Sequence, residues 1–341
     1  IAVSGIASST IGVFEEAFPF VPIFVGVAIA MGYDAIVGLS IVALGAGLGY
    51  SGAAMNPFTV GMAQSIAELP QLSGAGYRIF CHIIFIIVGS IFVVRYALKV
   101  QSDPKASVVY GDDFSHVTMN QEDLENHPFG FREKMVLLIL AAGIAVIVYG
   151  CKYYGWYFEE LCAVFLIMGI VSSIIMGWGP NVIARKMAKS FEDIAVASLM
   201  IGLARGILVV LTEGKIIDTI VYGLSIPLSK LPRWLAAEAM LIVQTIISFI
   251  IPSGSGQAAT SMPIMVPLSD LLHIPRQVSV LAYQFADGLT NVLWPTASAP
   301  IICGIAGVKL EKWWKFFVPL FGLLFLTQCL LIFLAIAIGW A

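Results

Sequence analysis

Apolar runs close to the length of a bilayer span follow one another along nearly the whole chain, separated by short polar punctuation. Ile1 to Thr10 is apolar and small, and it leads into Gly12-Val13-Phe14-Glu15-Glu16-Ala17. Phe18 to Met31 is apolar again and stops at Gly32-Tyr33-Asp34. Ala35 to Gln64 is a long span weakened at Gly45, Gly47, Gly49, Gly52 and Asn56-Pro57, and Ile79 to Leu98 is a clean one. Lys99 to Lys134 is the one strongly polar segment. Lys215 to Leu231 alternates apolar residues with Asp218, Ser225, Ser229 and Lys230, which suits a helix lying in the membrane interface. Trp234 to Ile251 and Met262 to Leu272 flank Pro252-Ser253-Gly254-Ser255-Gly256-Gln257.

The pattern predicts an all-α polytopic membrane protein. Its first part would hold a re-entrant hairpin over 1–31, a broken helix over 35–68 and a helix over 76–100. A polar linker over 101–132 would follow. The second part, 133–341, would hold helices over 133–151, 157–177 and 194–212, an interfacial helix over 215–231, a hairpin over 233–272, a broken helix over 276–307 and a final helix over 313–340.

Composition sharpens this class. Hydrophobic residues are 59% of the chain and charged residues 11%, with a mean hydropathy of +0.94. Soluble domains carry about 25% charged residues, so most of this chain cannot face water. A net charge of -3 without a basic stripe excludes a nucleic-acid partner. Cys81, Cys162, Cys303 and Cys329 lie in apolar spans and read as small buried hydrophobes, with no metal-site spacing. No nucleophile triad, phosphate-binding loop or zinc motif is present, so the chain offers no candidate for catalysis and no cofactor.

The punctuation repeats. Gly12-to-Ala17 and Ser253-to-Ala258 each separate two apolar arms, Gly32-Tyr33-Asp34 answers His273-Ile274-Pro275, and Asn56-Pro57 answers Trp294-Pro295. Paired Gly/Pro-interrupted segments in corresponding positions point to a transporter binding site at the repeat interface. Arg95, Lys99, Lys105, Arg132, Lys134, Arg185, Lys186, Lys189, Lys309, Lys312 and Lys315 fall on one side of the implied topology, 11 of 18 basic residues. The positive-inside rule makes that side cytoplasmic, places the loop 101–132 there and leaves the C-terminus extracytoplasmic. The hairpins then open on opposite faces, as an inverted repeat requires.

Two constellations carry chemistry. Glu15-Glu16 are adjacent carboxylates in apolar sequence, where ionisable groups face a cavity or a partner. They bind a cation or cationic substrate group, or one of them pairs with a basic residue such as Arg205. Ser253, Gly254, Ser255 and Gln257 offer hydroxyls, an amide and backbone dipoles between two helical arms. Helix N-termini there favour carboxylates and unwound carbonyls favour Na⁺; the alternative is a tight turn at the interface. Asn56 and Thr59 mark one broken span, and Asp287, Thr290, Asn291 and Thr296 the other. Asp287 either pairs with Arg205 or serves ion coupling. Arg78 and His82, near the start of a span, read as interfacial.

Several motifs in fixed order resemble the YfcC-like branch of the DcuC (anaerobic four-carbon dicarboxylate carrier) family. They are Glu15-Glu16, Gly32-Tyr33-Asp34, Met55-Asn56-Pro57-Phe58, Gly202-Leu203-Ala204-Arg205-Gly206-Ile207, Ile251-to-Gly256, Met262-Pro263-Ile264-Met265 and Glu311-Lys312-Trp313. The resemblance implies the ion transporter superfamily fold: inverted repeats, each with a re-entrant hairpin and an unwound transmembrane helix, usually in a homodimer of elevator type. It implies substrate and coupling cation at Gly12-to-Glu16, Ser51-to-Thr59, Ser253-to-Gln257 and Asp287-to-Thr296, with Na⁺ near Gly12, Ser253 and Asn291, or H⁺ in its place. It also implies that the chain starts inside the first hairpin, with about a hundred residues of earlier helices missing by comparison with the second repeat. The expected function is secondary active transport of a small organic ion across the bacterial inner membrane. A basic amino acid, taken up or exchanged, is favoured because Glu15, Glu16 and Asp287 outnumber the single intramembrane Arg205. A four-carbon dicarboxylate coupled to Na⁺ or H⁺ is the first alternative, and a channel or non-transporting scaffold the second.

Overall fold

A computed structural model describes residues 1–114, 130–154, 156 and 158–340. Every regular element among them is helical. In chain order these are α1 (Ala2–Ile11), α2 (Val21–Ala30), α3 (Ala35–Ser51), α4 (Met62–Ile66), α5 (Ala75–Ser102), α6 (Phe131–Tyr154) and α7 (Phe158–Ile175). Then follow α8 (Pro180–Glu213), α9 (Ile216–Ser225), α10 (Arg233–Ile250), α11 (Gly254–Leu271), α12 (Arg276–Thr290), α13 (Ala299–Ala306) and α14 (Leu310–Ala337). Among the described residues α5, α10 and α14 are long and apolar enough to cross a membrane.

Two compact units divide the chain, one of residues 1–118 and 197–341 and the other of residues 119–196. In the smaller unit α6 packs beside α7, with Met168 lying over Gly143. The expected helix over 194–212 is the second part of α8, a single helix that starts at Pro180 and carries Arg185, Lys186 and Lys189 on its opening turns.

The larger unit shows the same order of elements twice. Two helical arms (α1 and α2, then α10 and α11) precede an interrupted helix (α3 to α4, then α12 to α13) and a long closing helix (α5, then α14). The turns between these elements agree too. Arm α2 ends with Gly32 at φ 80° and Tyr33 N donating to Ala28 O at 2.9 Å. Arm α11 ends with His273 at φ 55° and Ile274 N donating to Ser269 O at 2.8 Å. A left-handed residue after the last turn, followed by a return bond to a carbonyl five residues back, satisfies orphan carbonyls at a helix end. Asp34 and Pro275 then occupy the N-cap positions of α3 and α12, the Asp34 carboxylate accepting from Val37 N at 3.0 Å. The short helices α4 and α13 close likewise, on Glu68 (φ 56°) and Gly307 (φ 67°).

Lipid offers no hydrogen bonds, so an interrupted helix inside a membrane must find partners for its backbone in protein. At the first break, Ala54 N and Met55 N donate to Ser9 O of α1 at 3.2 and 3.1 Å. At the second, Val292 O and Leu293 O accept from the indoles of Trp313 and Trp314 at 2.7 and 2.8 Å. The two interrupted helices cross at their centres, where a Cβ on Gly288 would meet Ser51 N at 2.0 Å. Only a glycine permits that crossing. Ser51 Oγ donates to Phe285 O at 3.0 Å, and Gln328 of α14 donates to the same carbonyl at 2.7 Å. Around the crossing, Leu44, Leu48, Leu281, Phe285, Phe317 and Leu320 form a buried apolar core.

Cysteine placement departs from expectation. Cys81 and Cys303 are buried, but Cys329 is half-buried and Cys162 exposed. In a membrane protein an apolar helix face can be exposed to lipid, so an apolar run does not imply burial within protein.

Candidate functional site

The second hairpin turns at Ile251-Pro252-Ser253. Ser253 is extended and its hydroxyl accepts from Gly256 N at 3.3 Å, capping α11. The first residue of α11, Gly254, touches both interrupted helices: a Cβ there would lie 2.7 Å from Asp287 Oδ2 and 2.8 Å from Thr59 Cγ2. Tyr283 of α12 holds the tip in place by donating from its hydroxyl to Gly254 O at 2.7 Å. Asp287 is 1% exposed and Thr59 wholly buried, and neither Asp287 Oδ2 nor Thr59 Oγ1 has a hydrogen-bond partner. A buried charge without a partner is costly, as is a buried hydroxyl. Both polar atoms meet at the tip of one hairpin and the breaks of both helices.

Asn291 supports the carboxylate from the next turn, donating to Asp287 O at 2.8 Å and to Asp287 Oδ1 at 3.3 Å. Thr290 accepts from Ser248 Oγ at 2.7 Å, and Trp294 donates to Thr245 O at 3.1 Å and Ser248 Oγ at 3.2 Å. Thr296 donates to Phe249 O at 2.7 Å. These bonds tie α10 to the second break, as Ser9 ties α1 to the first. Ser255 is half-buried beside Gly254.

At the first tip, Gly12 adopts φ 79° and stands against Asn56, whose Oδ1 would lie 2.8 Å from an added Cβ. Asn56 is fully buried, accepts from Phe58 N at 2.9 Å and donates to Ser8 O at 3.4 Å. It is the N-cap of the turn that restarts the helix after the break. Glu16 is half-buried and its carboxylate folds back to accept from Phe14 N at 2.9 Å. Glu15 is exposed. Phe14 packs on Tyr50 with ring centroids 5.1 Å apart.

The predicted residues therefore fall into three sets. Gly254, Asp287 and Thr59 converge, with Asn291 behind them. Asn56 and Glu16 hold the first tip, while Ser253 caps α11 and Thr290 and Thr296 tie the second break to α10. Gln257 belongs to a buried amide network, donating to Gln244 Oε1 at 2.8 Å, which also accepts from Ser261 Oγ at 3.0 Å. The pairing of Arg205 with Asp287 or with one of Glu15 and Glu16 falls on a side chain outside those the structure describes. Among the described residues no cluster of three His, Cys, Asp or Glu could hold a metal ion.

Sequence reading missed Tyr50, Tyr283, Gln244, Gln284 and Gln328. The signal was present: each is a lone polar group within an apolar helix, a placement membranes rarely tolerate without purpose. Gln284 donates to Tyr50 O across the crossing. Arg78 and His82, expected near the membrane interface, are enclosed by protein. Arg78 is 1% and His82 8% exposed, because the start of α5 is covered by the other half of the unit and its next turn lies behind Gly52.

Paired hairpins and paired interrupted helices, converging on buried polar atoms within an apolar chain, define a multi-pass membrane transporter. The comparisons agree. The chain is 33% identical over 347 residues to the "Putative basic amino acid antiporter YfcC" of Escherichia coli (strain K12), covering 98% of this chain and 68% of that protein. It is 32% identical over 336 residues to an uncharacterized protein of Haemophilus influenzae (strain ATCC 51907 / DSM 11121 / KW20 / Rd), covering 98% of this chain and 66% of that one. The crystal structure of the Alcanivorax borkumensis YdaH transporter, described as having an unusual topology, superposes with a TM-score of 0.51 over 99% of this chain and 78% of its own, at 15% identity. That likeness is one of fold. The family model of DcuC, "C4-dicarboxylate anaerobic carrier", matches residues 2–337, and the chain belongs to that family of transporters, in its YfcC-like branch. It is not an enzyme.

Proposed function

We propose that the protein exchanges or takes up a basic amino acid by elevator-type alternating access. One observation carries the reading: Asp287 is buried at the meeting point of a hairpin tip and both helix breaks, with Oδ2 unpartnered. Such a carboxylate demands a cation. A substrate ammonium or guanidinium supplies that cation and is released on the far side. The name of the Escherichia coli relative runs the same way. In this reading the hairpins are re-entrant and inversely related, the connection 101–132 faces the cytoplasm and the C-terminus the other side, and a homodimer forms the working unit in the bacterial inner membrane.

A second reading is a four-carbon dicarboxylate carrier, favoured by the family description and by the N-terminus of α11, whose dipole at Gly254 suits a carboxylate. Asp287 and Thr59 then hold the coupling Na⁺, or Asp287 the coupling proton. Counterflow of labelled arginine, ornithine and succinate in proteoliposomes separates the two. Saturable counterflow of arginine or ornithine is the expected result. Carriage of succinate alone overturns the basic amino acid assignment, and the absence of counterflow for every solute favours a channel or scaffold.

A further inference from the structure

Away from the hairpin tips, the start of α5 meets the start of α12 around a buried guanidinium. Arg78 is 1% exposed; its Nη2 donates to Gln277 Oε1 at 2.8 Å, and its Nε and Nη1 have no hydrogen-bond partner. No carboxylate pairs with it among the described residues. The contrast with its neighbour is sharp. Arg276, one residue before Gln277, is partly exposed yet holds two carboxylates, Glu68 at 3.0 Å and Asp270 at 2.7 Å. The protein thus spends its nearby acids on the accessible arginine and leaves the enclosed one positive.

Two helix ends beside Arg78 also favour negative charge. It lies in the first turn of α5, whose N-cap Gly74 has no capping side chain, and it bonds the second residue of α12, whose N-cap Pro275 has none either. Two long helices therefore bring their positive ends together here, and the partial charges of uncapped N-termini attract anions. Gln277 is held in turn by its donation to Ser73 Oγ at 2.6 Å. The indole of Trp340, turned back by Gly339 at φ 67°, lies 5.4 Å from the guanidinium carbon and covers it. Gly74 makes room for that ring: a Cβ there would stand 2.5 Å from Trp340 Cζ2.

We propose that Arg78 is the centre of a binding site for a small monovalent anion of chloride size, closed beneath Trp340. A buried arginine can rest against an aromatic face, but that contact leaves its in-plane N–H groups unserved. Arg78 is almost wholly buried beneath the indole, which favours a small ion, and two helix ends with one guanidinium supply its charge balance. This assignment is independent of the substrate reading, since Arg78 belongs to neither hairpin tip nor helix break.

The test uses the purified full chain, with the unfolding midpoint measured in sodium chloride against sodium gluconate at constant ionic strength. The expected result is a saturable rise of several degrees with chloride, absent in Arg78→Gln. Because that variant risks misfolding, bromide quenching of tryptophan fluorescence is read as a second measurement. A saturable component should appear in the native chain and vanish in Trp340→Phe, which should keep the chloride shift. Identical midpoints in chloride and gluconate for the native chain overturn the proposal, as does a shift produced by acetate and not by chloride.

Discussion

Gly254 and Asp287 stand so close that a single methyl group on the glycine would lie 2.7 Å from the carboxylate oxygen Oδ2. The tip of the second hairpin thus rests on the acid of the interrupted helix that follows it, with Thr59 of the first half on the other side. Gly254→Ala should therefore act on transport before it acts on folding. Displacing a carboxylate and a threonine methyl costs about 1–3 kcal/mol in a packed interior. Uptake is expected to fall at least tenfold, while the unfolding midpoint moves by only a few degrees.

Asp287→Asn keeps the shape and the bond to Asn291 but removes the charge. If the acid pairs with a cation during transport, losing it forfeits about 2–5 kcal/mol of binding. The KM for a cationic substrate should rise by roughly thirtyfold or more. A variant with unchanged KM and rate in counterflow assays would exclude Asp287 from the site.

The two adjacent glutamates should separate. Glu16 accepts from Phe14 N, and a glutamine can still accept that bond, so Glu16→Gln should fold normally and report on charge alone. Glu16→Ala should also lose about 1 kcal/mol of local stability. Glu15→Gln should weaken cationic substrate binding. Thermal unfolding and uptake measured on all three variants distinguish a structural acid from a binding one.

Gly288→Ala attacks a different property. Its Cβ would enter the backbone of Ser51, with no flexible side chain to yield, so the crossing of α3 and α12 must open. Destabilisation above about 4 kcal/mol is rare for point changes and is expected here. Folded yield and melting of the purified variant are the readout, and native-like melting would show that the helices cross elsewhere.

Much of this arrangement was legible because its signals are local. Asn56-Pro57 and Pro295 cannot continue a regular helix in lipid, and each lies in a break; Asp287 to Thr290, expected to interrupt the second span, are instead the last turn of α12, and the break covers 291–298. Gly32-Tyr33-Asp34 and His273-Ile274-Pro275 share almost no chemistry, yet both make a left-handed turn followed by an N-cap. Their correspondence was visible through position rather than identity. What remained hidden depends on contacts between distant residues. Nothing near Thr59 announces Gly254, and nothing near Arg78 announces Gln277. A charged residue at the start of an apolar run looks interfacial until another helix covers it, as happened to Arg78 and His82. Glu16 also looked freer than it is, because a backbone amide two residues back is an inconspicuous partner.

The meeting of Thr59 with Gly254 also bears on how the protein is made. A ribosome delivers Thr59, Asn56 and the first interrupted helix well before the second hairpin exists. Until Gly254 and α12 emerge, the early half has its break braced by Ser8 and Ser9 of α1 and Ser51 still lacks Phe285. The meeting point of Thr59, Gly254 and Asp287 is therefore completed only late in synthesis, and a nascent chain stalled before Gly254 would leave the polar atoms of the first break uncovered.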